Sequence, residues 1–171
     1  MKTTTKIAAT AATLAALATG ATAASITEIA AGDDRFSTLV AAVTAAGLAD
    51  TLAGPGPFTV YAPVNDASAA LPDGTVETLL KPENKGQLTN VLLYHVDDRK
   101  LTAEQIPNGS NYFKPLLTSE RLCITKGTDG VSIADGTGET ANVIIANIKA
   151  DNGVIHVVDK VLLPGQRPDC H

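Results

Sequence analysis

The 171-residue sequence predicts an α+β domain, and three observations carry that expectation. In the first half, apolar residues recur at helical spacing, as in Phe36, Leu39, Val40 and Val43. The second half is rich in β-branched residues broken by Gly-containing turns. The chain is 44% hydrophobic and 18% charged, enough apolar side chain for one core in a length too short for two comfortable ones.

The first elements read from punctuation as much as from periodicity. Ser25-Ile26-Thr27-Glu28 is a capping box and opens a helix. Asp33 and Asp34 precede the next helix, built on Phe36, Leu39, Val40 and Val43, and Gly47 follows it. Gly54-Pro55-Gly56-Pro57 breaks the chain before a short strand over 58–62, which ends at Pro63. Asn65 or Asp66 caps a brief helix through Leu71, and a further helical stretch over 75–80 stops at Pro82. Asn84, with Gln87 three residues on, opens a helix whose apolar face is Leu88, Val91, Leu92 and His95.

Beyond Val96 strands are expected over 112–118, 121–125, 131–134, 142–148 and 154–163. Asn152-Gly153 is a two-residue hairpin signal between the last two. In the final strand both alternating faces are apolar, Ile155, Val157 and Val161 against Val154, Val158 and Leu162, so it should lie centrally with both faces covered.

The N-terminus reads as an address. Lys2 and Lys6, an apolar run over 7–17 and the small-residue site Ala21-Thr22-Ala23 predict a signal peptide over 1–23 and a mature chain starting at Ala24. The run is shorter than the roughly 20 apolar residues a membrane span needs, so no span is expected. A secreted or periplasmic, cell-envelope location follows. Cys123 and Cys170 suit that oxidising setting, which favours joining them, fastening a C-terminal tail over 165–171 to the strand-rich half. The alternative is a buried free Cys123 and a loose Cys170.

Composition excludes several roles. With 13 basic against 18 acidic residues, no basic field draws in nucleic acid. The absence of Trp, with three Phe and three Tyr, disfavours an aromatic-lined carbohydrate cleft. The chain lacks a G-x-S-x-G elbow, a P-loop, an H-E-x-x-H pair and a calcium loop, so no catalytic set, cofactor or metal is expected. His156 sits among Ile and Val and reads as a hydrogen-bonded core histidine; His95, on an apolar helix face, reads as an anchor at the helix end. The pairs Asp33-Asp34 and Asp97-Asp98 read as a helix cap and a solvated turn, and Asp129-Gly130 and Asp135-Gly136 as turns. Asn108-Gly109-Ser110 is both a turn signal and a glycosylation acceptor pattern.

Three ordered segments resemble the fasciclin domain. Residues 58–67, FTVYAPVNDA, resemble its first motif, in which a strand ending in Ala-Pro leads to an Asn, here Asn65. Leu92-Leu93-Tyr94-His95-Val96 resembles its central Tyr-His motif, and residues 152–164, NGVIHVVDKVLLP, with His156 and Asp159, resemble its closing motif. The resemblance spans 24–164 and implies a wedge of two β-sheets with several helices packed around it. It also implies an exported, non-enzymatic module that adheres to a cell-surface or extracellular-matrix protein or glycan. In animal members an Asp-Ile pair before the closing motif is linked to integrin binding; the matching positions here are Asn147-Ile148, without the carboxylate.

The reading is therefore a non-catalytic adhesion or interaction module, with Tyr94, His95, Asn147 and Ile148 as candidate partner-binding residues and Asn65, His156 and Asp159 as structural ones. The alternative is an envelope enzyme or small-ligand carrier on the same fold. Tyr94 lies off the apolar stripe of its helix, so its ring is expected at the surface; the competing reading buries both Tyr94 and His95.

Overall fold

A computed structural model describes residues 24–171; the expected signal peptide over 1–23 lies outside the described residues. Helix α1 (Ile26–Ala31) begins with the expected capping box, the Ser25 hydroxyl accepting from Glu28 N–H and the Glu28 carboxylate from Ser25 N–H. A 3₁₀ turn (Asp34–Phe36), capped by Asp33, leads into α2 (Ser37–Ala46), which ends on the left-handed Gly47 at φ 73°. A short α3 (Ala49–Ala53), without a signal in the sequence reading, precedes strand β1 (Phe58–Pro63). Helices α4 (Asn65–Ala69), α5 (Thr75–Leu79) and α6 (Lys85–Tyr94) follow, the last two separated by a 3₁₀ turn at Pro82–Asn84. The expected side-chain cap at Asn84 is not made; its amide instead donates to Thr78 O at 2.7 Å.

The strands are β2 (Val96–Asp97), β3 (Gly109–Phe113), β4 (Leu122–Gly127), β5 (Gly130–Ala134), β6 (Thr140–Ala150) and β7 (Gly153–Val158). They form one curled seven-stranded run in the order β2-β1-β7-β6-β5-β4-β3, antiparallel except for the β1–β7 pair. The two sheets of the expected wedge are thus two parts of one ladder, joined by the long β6, whose start pairs with β5 and whose remainder pairs with β7.

Boundaries moved for identifiable reasons. Strand β3 starts earlier than expected and stops at Phe113, because Pro115 has no N–H to offer a ladder. Strand β7 stops at Val158 rather than 163, since Leu162 N–H donates to His95 Nε2 and Leu163 N–H to the Asp135 carboxylate. The last hairpin turns on Asp151-Asn152, one residue before the expected pair, with Ala150 opposite Gly153. Gly153 is required for another reason: the Phe58 carbonyl of β1 occupies the space a Cβ would need.

Two apolar clusters lie on opposite sides of β1 and β7. On one side Val60, Ala62, Ile155 and Val157 pack with Leu39 and Val43 of α2 and Leu88 and Leu92 of α6. On the other, Tyr61 and Val158 pack with Tyr94, Ile106, Leu122 and Ile133. Every residue of β7 is buried, as expected for a central strand. The tail is part of the fold: Cys170 is bonded to Cys123, Tyr112 Oη donates to Pro168 O, and the Arg167 guanidinium lies 4.0 Å from the Tyr112 ring centre.

Candidate functional site

The Tyr94-His95 segment ends α6 and is wholly enclosed. Tyr94 has no exposed surface, and its hydroxyl donates to Arg121 O at 2.7 Å. The expectation of a surface ring is overturned. It treated α6 as a helix with one buried stripe, whereas the last turn is wedged between both clusters: Leu88 and Leu92 face one and Tyr94 the other. Burial raises the phenol far above its ordinary range.

His95 is buried at the end of α6, so it is not placed to contact a partner. Because Leu162 N–H donates to Nε2 at 2.9 Å, the ring proton sits on Nδ1 and is given to Val91 O at 2.7 Å. Loss of hydration lowers its pKa to about 4, against weaker opposing effects of the Val91 carbonyl and Asp135. The imidazole is neutral, and both nitrogens are committed.

His156 is its counterpart on β7. Asn147 N–H donates to Nδ1 at 3.3 Å, which leaves Nε2–H to donate to Leu101 O at 2.6 Å. Its ring stacks on Tyr61 at 6.0 Å between centres. Burial again lowers the pKa. Among the described residues one buried side-chain polar atom lacks a partner, the Tyr61 hydroxyl.

Asn147 and His156 are the two singled-out positions that the fold brings together. Strand β6 carries two extra residues relative to β7: Val143 faces Val158 and Ile145 faces Val157, then Ile148 faces Ile155. At the second bulge Asn147 takes φ 61°, a conformation Asn tolerates better than most side chains. Its Oδ1 accepts from Ala103 N–H at 2.8 Å and its Nδ2 donates to the Glu104 carboxylate at 2.9 Å. An Asp at this position could not make the second bond and would face Glu104 with like charge. The Glu104 pKa is lowered by hydrogen bonds from its own N–H first, then from Thr102 and Asn147. Ile148 turns inward and packs against the first cluster.

The bulges leave Ile144 52% and Ile145 38% exposed, side by side on β6. Sequence analysis expects a strand over 142–148 and assigns neither Ile144 nor Ile145 to an exposed face, since an unbroken apolar run hides the alternation; the sequence hint is the Asn that ends the run.

The remaining positions make hydrogen bonds within the fold. Asn65 does not cap its own helix. Its Oδ1 accepts from Thr38 N–H at 3.1 Å and its Nδ2 donates to Asp34 O at 2.7 Å, so it caps α2 from across the fold. Asp159 accepts from the Asn142 backbone and side chain at 2.7 and 2.9 Å, closing β7 onto β6. Two polar anchors were read only as turn residues. Asn152 accepts from Ile26 N–H and donates to Leu52 O and Gly54 O, and Asp135 accepts from Thr137, Glu139 and Leu163 N–H. Asp97 is not solvated either: it is buried and paired with Arg99 at 2.6 Å.

Cys123 and Cys170 form a disulfide with Cα atoms 5.5 Å apart. Among the described residues no group of three or more His, Cys, Asp or Glu could hold a metal ion, and no helix is long and apolar enough to cross a membrane.

Comparison with known proteins agrees with this architecture. The fasciclin domain family model matches residues 34–164. Protein sll1483 of Synechocystis sp. is 50% identical over 142 residues, covering 83% of this chain and 74% of its own length. The transforming growth factor-beta-induced protein ig-h3 of Sus scrofa is 39% identical over 133 residues, 78% of this chain but 18% of that protein. Among solved structures, a FAS1 domain pair from the insect cell adhesion molecule Fasciclin I superposes with a TM-score of 0.61 at 19% identity, over 75% of this chain and 45% of that one, which speaks for the fold alone. The motifs, the ladder order and the family match agree, and this chain belongs to the fasciclin domain family.

Proposed function

We propose that the protein is an exported interaction module that binds a cell-surface or extracellular-matrix protein or glycan, and that it works by surface recognition without covalent chemistry. The observation that carries this reading is the exposed Ile144-Ile145 pair on β6, held in place by the Asn147 bulge. Two adjacent branched apolar side chains in water have no folding benefit, and a rigid strand offers them to a partner at low entropic cost. His95 and His156, the only histidines inside the fold, are buried with both ring nitrogens bonded, which leaves no imidazole poised as a general base. The Cys123–Cys170 bridge suits an oxidising compartment such as the periplasm or the extracellular space.

On this reading a partner meets Ile144, Ile145 and the polar rim of Asn147 and Glu104; Tyr94 and His95 are enclosed. The test is binding of labelled protein to intact producing cells and to their matrix. Saturable binding that disappears in an Ile144→Ser/Ile145→Ser double variant with an unchanged melting temperature supports it. Equal binding by the two proteins overturns it. Protease or periodate treatment of the cells then separates a protein partner from a glycan.

A further inference from the structure

A cavity of about 320 Å³ lies between the sheet and helices α1, α2 and α3, on the side of the first apolar cluster. Protein interiors hold few voids larger than a water molecule, so an opening of this size in a domain core needs an explanation. Small side chains keep it open: Ala30 on α1, Ala49 on α3 and Ala62 on β1 line it where a Leu or Ile would fill the space. Of its lining residues Glu28, Ala31 and Thr44 are exposed, which puts the mouth between α1 and α2.

The chemistry of the walls selects the occupant. The buried end is formed by Val60, Ala62 and Ile155 together with His95. Both His95 nitrogens are already bonded, to Val91 and Leu162, so nothing at that end can satisfy a polar group. A polar atom placed there would lose its hydration without recompense, which requires hydrocarbon at the buried end. At the mouth the sole charged side chain is Glu28, whose carboxylate is kept ionised by hydrogen bonds from the Ser25 backbone and hydroxyl. An anionic head would be repelled there. A dry apolar cavity of ~150 Å³ takes one benzene molecule, so by proportion this one has room for about a dozen carbon atoms.

We propose that this cavity is a binding site for a neutral apolar small molecule of medium-chain size, inserted hydrocarbon end first between α1 and α2. The site is independent of the Ile144-Ile145 surface, which lies on β6 outside the cavity lining.

The experiment titrates the purified protein with 1-decanol and, separately, with decanoate at pH 7.5, read by calorimetry and thermal melting. Decanol is expected to bind saturably at one site and to raise the melting temperature, with decanoate weaker by at least about tenfold. Glu28→Gln, which keeps the capping box, should bring decanoate close to decanol. Val43→Phe puts a ring into the cavity and should weaken decanol at least about tenfold while the protein still melts cooperatively. Ala49→Leu is the milder filling variant and gives the same reading if the first fails to fold. No saturable decanol binding by the unaltered protein, or decanol binding undiminished in a folded filling variant, overturns the assignment.

Discussion

Acidification from pH 7 to pH 5.5 should weaken the fold through His95, ahead of the ordinary carboxylate range at about 4. The side chain is 2% exposed and its pKa lies at about 4, against an ordinary value near 6.5. Between these values the unfolded chain binds a proton that the folded chain refuses, so stability falls as pH falls. The contribution is whole above about pH 6.5, declines by up to about 1.4 kcal/mol per pH unit below it, and has been lost, about 3 kcal/mol in all, once pH passes the folded value. His156 is lowered for the same reason and adds to the decline with the same sign. Urea unfolding at pH 7.5, 6.5, 5.5 and 4.5 measures the slope. In His95→Gln the protein should be less stable at pH 7.5, because Leu162 N–H loses its acceptor inside the core, yet its pH slope should be shallower. The exposed carboxylates Glu28 and Asp33 are held below their usual range, so their contributions are lost with the same sign once pH falls to about 4, and the His95 slope is read between pH 6.5 and 5.5. Identical slopes for the two proteins, or a His95 titration by NMR near 6.5, would refute the reasoning.

Three further outcomes are expected. Cys170→Ser opens a bridge between residues 47 positions apart and should cost about 4 kcal/mol by chain entropy, read as a lower urea midpoint under non-reducing conditions. Tyr94→Ala removes a fully enclosed ring and its bond to Arg121 O and should cost about 4 kcal/mol, so a variant with a native-like melt would contradict the enclosed placement. Asn147→Asp puts a carboxylate against that of Glu104 and should lower the melting temperature at pH 7, with recovery as the pH approaches about 4, whereas a pH-independent difference would show that like-charge repulsion is not the cause.

The candidate site was legible to unequal degrees. The apolar periodic surroundings of His156 and His95 point to core histidines, and both are enclosed and fully bonded; the further expectation of His95 as a partner contact is at odds with its burial. Tyr94 was placed at the surface because periodicity assigns a helix one buried face and carries no information about a second cluster arriving from β3 and β4. Ile144 and Ile145 were hidden because an unbroken apolar run in a strand conceals the alternation and nothing local announces two bulges.

By itself the sequence determined what depends on neighbours along the chain. The α1 capping box, the Gly47 helix stop, the central two-faced β7 and the division into helices then strands all rest on contacts or periodicities within a few residues. Tertiary structure alone decided what depends on partners far away in the chain. Asn65 caps α2 from 27 residues on, Asn152 ties three carbonyl and amide groups around α1 and α3, and Asp135 collects amides from its own turn and from Leu163. The same holds for the cavity under α1, whose walls come from seven separate elements. A polar side chain in a turn has the same local propensity whether it meets water or a distant backbone amide, and only the assembled fold chooses between them.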